Sequence, residues 1–218
     1  MMSLSCSEKG TSENDSNKQN SYQQVHDEAI VIDAHNDFLF MMVDDVLQNY
    51  LGDQSIKYSA DLKGITHIDL NRQIEGGLDV QFFSVWCPGS QVDPFNMAMR
   101  QIDSLEVIAS HNSDRMTISR NSDELLTALG GNQAIAMIGV EGGHMIENDL
   151  KKLETLHERG VRYMTLTWNN SNSWATSSYD EQPEVNFPRK GLTDFGKQVV
   201  TRMNELGMLV DISHVGEQ

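Results

Sequence analysis

The sequence predicts an α/β protein built on parallel strands, a (β/α)8 TIM barrel that stops before its last strands, and three observations carry that expectation. Apolar runs of strand length alternate with segments of helical period along most of the chain. Neither G-x-G-x-x-G nor G-x-x-x-x-G-K follows a strand, which disfavours the open doubly wound sheets that cradle phosphates. Side chains suited to metal binding recur at strand ends, His35 with Asp37, then Glu141, then His214. A barrel gathers its active groups in that way, from the C-terminal ends of several strands.

Taken in order, Ala29 to Ile32 reads as a short buried parallel strand, and Met41 to Tyr50 as a short helix. Asp69 can cap a helix over Leu70 to Glu75, which Gly76 and Gly77 end. Leu78 to Trp86 is rich in aromatic and β-branched residues and reads as the second strand. Pro94 to Asn112 places Ala98, Ile102, Leu105 and Ala109 on one helical stripe, with Ile108 beside it. A short strand at Met116 to Ser119 and a helix from Ser122 to Leu129 follow. Ala134 to Val140 is the clearest strand of the middle, with Glu141 at its end. Asp149 caps a helix through Glu158, stopped by Gly160, with Leu150, Leu153, Leu156 and His157 on one side. Val161 to Thr167 is the next strand, and a polar loop from Trp168 to Lys190 comes after it. Thr193 caps a helix through Leu206, and Met208 to Ile212 is the last strand.

With 218 residues the chain can bury a sizeable core, but a barrel usually takes about 250 or more. About six strands precede Gln218, so the expectation is an incomplete barrel over residues 25–218 behind a disordered polar tail at 1–24. Lys+Arg 16 against Asp+Glu 32, a net charge of -16, argues against nucleic acid as a partner. Two cysteines, Cys6 and Cys87, exclude a disulfide framework. No apolar run is long enough for a membrane span, so the chain reads as soluble as written. The alternative is a bacterial cell-envelope lipoprotein anchored at Cys6, which needs a signal that the chain does not show.

In extended backbone, residues two apart point to one side, so His35 and Asp37 aim an imidazole and a carboxylate at one spot. A polar turn with a solvated histidine is the competing reading. Glu141, alone between the other two clusters, is the natural carboxylate to bridge two ions about 3.5 to 4 Å apart. Its alternative is a charge at a helix N-terminus or a loop carboxylate beside Gly142 and Gly143. Asp33 and Asp211 can orient ligand imidazoles through hydrogen bonds, or cap nearby backbone. His144 reads as a loop histidine or one behind the ligands, and His26, His67, His111 and His157 as surface or satisfied core groups. Cys87 has no evident base, and neither G-x-S-x-G nor H-E-x-x-H is present. A metal-independent glycosidase pairing Glu141 with one Asp would leave both ligand histidines without a role.

The segments V-I-D-A-H-N-D, D-L-N-R-Q-I-E-G-G-L-D-V-Q-F-F-S-V-W, I-G-V-E-G-G-H, L-H-E-R-G-V-R-Y-M-T-L-T and the closing G-L-T-D-F-G through D-I-S-H-V resemble, in order, the membrane (renal-type) dipeptidases. The resemblance implies a zinc-dependent barrel hydrolase of the amidohydrolase type that cleaves dipeptides by a metal-bridging hydroxide. It places one zinc on His35 and Asp37, a second on His214, and Glu141 between them as bridging ligand and catalytic carboxylate. It also implies that further ligands and a late catalytic aspartate belong beyond Gln218, so that the isolated chain has little or no activity. Where the family carries a substrate-contacting histidine, this chain has Trp168, which cannot accept a proton. Homodimerisation, a non-catalytic metal-binding or interaction protein, and another amidohydrolase-type activity stay open.

Overall fold

Six parallel strands form one sheet in the computed structural model, which describes residues 22–43, 57–185, 187–188 and 191–217. The strands are β1 (Ile32–Asp33), β2 (Val80–Trp86), β3 (Met116–Ile118), β4 (Ala134–Glu141), β5 (Val161–Thr165) and β6 (Leu209–Asp211). They run in the order β1-β2-β4-β5-β6, and β3 pairs with the first residues of β4 on the edge that β5 takes over further along. Helices α1 (Phe38–Val43), α2 (Leu70–Glu75), α3 (Pro94–His111), α4 (Ser122–Ala128), α5 (Leu150–Glu158) and α6 (Asp194–Leu206) fill the crossovers. Residues 22–28 are also helical. The alternation read from the sequence is therefore the one observed.

The sheet is curled into a half-barrel. His35 follows β1 and Tyr163 lies on β5, three strand steps away, which is about 14 Å in a flat sheet. Their side chains nonetheless meet at 3.1 Å. On the convex side Phe83, Val85, Ala136, Ile138, Val140 and Met164 pack under the helices in one continuous core. On the concave side two register rows matter here. Trp86, Glu141, Thr165 and Asp211 stand level at the C-terminal end, and Ser84, Gly139, Tyr163 and Leu209 one layer below. Deeper still, Val80, Ile135 and Met137 meet Leu125, Ala128 and Leu129, so α4 and its C-cap close the N-terminal end.

Capping follows the sequence closely. Asp69, Asn121, Asp149 and Thr193 each accept a hydrogen bond from the first turn of the helix they precede. In α3 the buried apolar stripe is Ala98, Ile102, Leu105 and Ile108, and Ala109 is only half-buried, so the stripe turns one residue from the expected line. The first helix starts at Phe38 rather than Met41, because the Asn36 Oδ1 accepts from the Phe38 N–H and nucleates it earlier. Residues 44–50 of the expected helix lie outside the described residues, as do Cys6 and the expected tail up to residue 21.

The first strand departs most from expectation. It covers only Ile32 and Asp33, and Ile30 and Ile32 are 60% and 51% exposed rather than buried. Among the described residues β1 pairs only with β2, so one edge is open, and an apolar run cannot reveal that it will be an edge. The other edge, β6, exposes Leu209 and Ile212 likewise. Among the described residues no helix is long and apolar enough to cross a membrane.

Candidate metal centre

The site is built outward from β4. Flanked on both sides, β4 is buried at all eight residues, and its last side chain, Glu141, is only 7% exposed. The chain turns away at once through Gly142, whose φ of 109° falls where a side chain would be strained. That turn leaves the Glu141 carboxylate facing the mouth of the half-barrel. Its Oε2 lies 3.5 Å from His35 Nε2, and its Oε1 lies 2.9 Å from His214 Nε2. His35 Nε2 is also 3.3 Å from Asp37 Oδ1. His35 and Asp37 achieve this from irregular backbone past β1, not from the extended strand that the spacing suggested.

The four side chains expected as ligands are thus brought together. The ligand atoms of His35, Asp37 and Glu141 all lie within 4.8 Å of one another, and His214 approaches from the far side of the carboxylate. Burial raises the Glu141 pKa above the ordinary carboxylate value, against the pull of His35 and His214. The hydrogen bond to Asp37 raises the His35 pKa, opposed by burial and aided by Glu141. Among the described residues no lysine or arginine pairs with any of the four. Two carboxylates and two imidazoles, one carboxylate oxygen turned to each imidazole, fit a divalent cation on either side of Glu141. A cavity of about 560 Å³ opens beside them, lined by His35, Glu141, Tyr163, Thr165, Asp211 and His214 among others.

Of the two readings of Asp33 and Asp211, the backbone cap is the one observed, and neither carboxylate bonds an imidazole. Asp33 Oδ1 accepts from the backbone N–H of His35. Asp211 accepts from Thr165 Oγ1, the Ser213 N–H and the Ser213 hydroxyl, bonds that hold its pKa low despite burial. The imidazole Nδ1 atoms go elsewhere, His35 to Tyr163 Oη at 3.1 Å and His214 to Asn169 Oδ1 at 3.0 Å. Neither partner is signalled by the local sequence. Alternation along β5 does put Tyr163 on the same side as Thr165, but nothing local shows that it reaches across three strands. His214 itself is held in left-handed backbone, φ 63°, by Thr167 Oγ1 and the Ser178 N–H, both donating to its carbonyl.

Three other groups are accounted for. His144 sits in a 3-10 turn over Gly143–Ile146 and donates through Nε2 to the Cys87 carbonyl at 3.1 Å, and burial lowers its pKa below the ordinary imidazole value. Cys87 does have an imidazole near it, His144 at 3.7 Å, but burial pushes the thiol up to about 12, far from a reactive thiolate. Trp168 packs edge-on against Trp86 at 4.9 Å, and Trp86 in turn against Phe40 at 4.7 Å. Since Trp86 is level with Glu141 in the sheet, this aromatic wall borders the centre.

Comparison with known proteins gives a consistent picture. The family model described as membrane dipeptidase (peptidase family M19) matches residues 19–218. Dipeptidase 3 of Mus musculus is 35% identical over 193 residues, covering 86% of this chain and 36% of the relative. Dipeptidase tcpJ of Claviceps purpurea (strain 20.1) is 32% identical over 196 residues, covering 85% of this chain and 44% of its own length. The chain therefore spans less than half of these curated relatives. Among solved structures, dipeptidase AC, a family M19 metallopeptidase, superposes with a TM-score of 0.72 at 23% identity, over 86% of this chain and 57% of that one. A Rhodobacter sphaeroides metallopeptidase liganded with a phosphinate mimic of L-Ala-D-Ala gives 0.69 at 22% identity, over 86% and 59%. At these identities the likeness establishes the fold.

Proposed function

We propose that this chain, which belongs to the membrane dipeptidase family (peptidase family M19), carries the dizinc centre of an enzyme that hydrolyses the peptide bond of dipeptides. The observation that carries the reading is the Glu141 carboxylate, with one oxygen turned to His35 and the other to His214. His35 and Asp37 would hold one ion, His214 the other, and Glu141 both. Bound there, zinc would supply Lewis acidity, acidifying a water and polarising the scissile carbonyl. The residues do the rest. Glu141 is the catalytic carboxylate because a buried central strand fixes its place and hence the spacing of the two cation positions. Asp37 and Glu141 balance the positive charge, and each imidazole must offer an unprotonated Nε2. Trp168 meets the substrate through its ring face, shielding the centre from water in company with Trp86 and Phe40.

Residues 25–218 act as one barrel-type unit in this reading; the expected tail at 1–24 overlaps the helix over 22–28, and its remainder lies outside the described residues. Because the chain spans 36% and 44% of the curated relatives named above, metal uptake is the primary readout and turnover the second. The test strips the purified 218-residue chain with chelator, reloads it with zinc, and measures bound metal and L-Ala-D-Ala hydrolysis. Zinc uptake that disappears in Glu141→Gln, with any hydrolysis strictly zinc-dependent, is the expected result. Hydrolysis indifferent to chelator would contradict it, and uptake with no hydrolysis at any zinc level would favour a non-catalytic metal-binding role.

A further inference from the structure

We infer that β5 and the residues just after it, which supply no ligand, aim both ligand imidazoles: Tyr163 holds His35, and Asn169 holds His214, each through Nδ1. The inference rests on the metal reading of the site and adds to it two positioning residues. An imidazole that gives its Nε2 lone pair to a cation must carry its ring proton on Nδ1, and that N–H needs an acceptor to fix the tautomer and the ring plane. Tyr163 Oη lies 3.1 Å from His35 Nδ1 and Asn169 Oδ1 lies 3.0 Å from His214 Nδ1. Both are neutral acceptors in the geometry required.

The local backbone explains why such anchors are needed. His35 follows a two-residue edge strand and His214 sits at φ 63°, so regular strand geometry aims neither ring. β5 is the opposite case, with Val161, Tyr163, Met164 and Thr165 all buried between β4 and β6. The Tyr163 ring crosses β4 only because residue 139 is glycine, where an added Cβ would lie 2.0 Å from Tyr163 Cζ. The phenol oxygen accepts the hydrogen bond of the His35 Nδ1–H, and the proton stays on the imidazole. Asn169 is tied down in turn, since its carbonyl accepts from the Ser177 hydroxyl at 2.9 Å. β5 and the loop that leaves it therefore set both ring planes.

The experiment measures zinc affinity of the 218-residue chain by competition with a chromophoric chelator, in wild type, Tyr163→Phe, Asn169→Leu and Asn169→Asp. Tyr163→Phe and Asn169→Leu should each weaken zinc binding about 10- to 100-fold, and Asn169→Asp, which keeps an acceptor, should stay within about 3-fold of wild type. Thermal unfolding of the metal-free variants reports any loss of fold separately. In zinc-loaded protein with 15N-labelled histidine, wild type should show two exchange-protected Nδ1–H signals, and Tyr163→Phe should lose the His35 signal alone. Affinities unchanged within about 2-fold, with both Nδ1–H signals retained, would overturn the inference while leaving the metal centre standing. A wild-type chain that takes up no zinc would overturn the metal reading, and this inference with it.

Discussion

Among the described residues two carboxylates are buried, and they are treated in opposite ways. Asp69 is fully buried and is met by the N–H of Arg72, the Arg72 Nε at 2.6 Å and the N–H of Leu62. Those bonds outweigh burial and hold its pKa below the ordinary value. Glu141 is nearly as buried, yet among the described residues it has no arginine or backbone donor, and its oxygens face two imidazoles beside another carboxylate. Its pKa goes up. A negative charge that the fold neutralises for itself is structural. One left for a partner from outside marks a site.

That contrast can be broken from several directions. The largest effect should come from Glu141→Gln, which weakens zinc binding by more than about 100-fold, beyond what loss of a group behind the ligands costs. Asp69→Asn should do the reverse, leaving zinc affinity per folded molecule unchanged while lowering unfolding free energy by about 3 kcal/mol, read by urea titration. Next, Gly139→Ala should cost about 1–3 kcal/mol, because the new Cβ collides with the Tyr163 ring, and should also weaken zinc binding. In metal-free protein, Glu141→Gln should raise unfolding free energy by about 1 kcal/mol, since it removes a buried charge that the fold does not neutralise.

The acid limb of stability sharpens the same comparison. The Asp69 pKa is depressed from its ordinary 3.8, so the folded state binds its proton less readily than the unfolded chain. Its contribution is therefore present above that value and is lost as pH falls through the folded pKa. The stability gap between wild type and Asp69→Asn should be constant near neutral pH and close in strong acid. Urea titrations at stepped pH values measure it.

Much of this was legible in the sequence. Strand ends and caps are local, so Glu141 closing A-I-A-M-I-G-V and Asp69 preceding Leu70 could be read directly. The convergence of His35, Asp37, Glu141 and His214 could be anticipated from their recurrence at strand ends. Edge position could not, because Ile30 and Ile32 look like core residues until the pairing of β1 is known. Nor could the partners of the imidazoles. Tyr163 reaches His35 across a curled sheet and over a glycine, and Asn169 looks like one more polar loop residue until the loop folds against His214. Asp33 and Asp211 were the nearer candidates in sequence, but short side chains beside their own backbone bond locally first.

On the metal reading, the charge on Glu141 is completed by a cation. Thermal or urea unfolding of the chelated chain with and without zinc tests it most directly, in wild type and Glu141→Gln together. At zinc about 100-fold above its dissociation constant, wild type should gain about 2.7 kcal/mol for each ion bound and the variant almost none. A gain of equal size in both proteins, or none in either, would contradict the account.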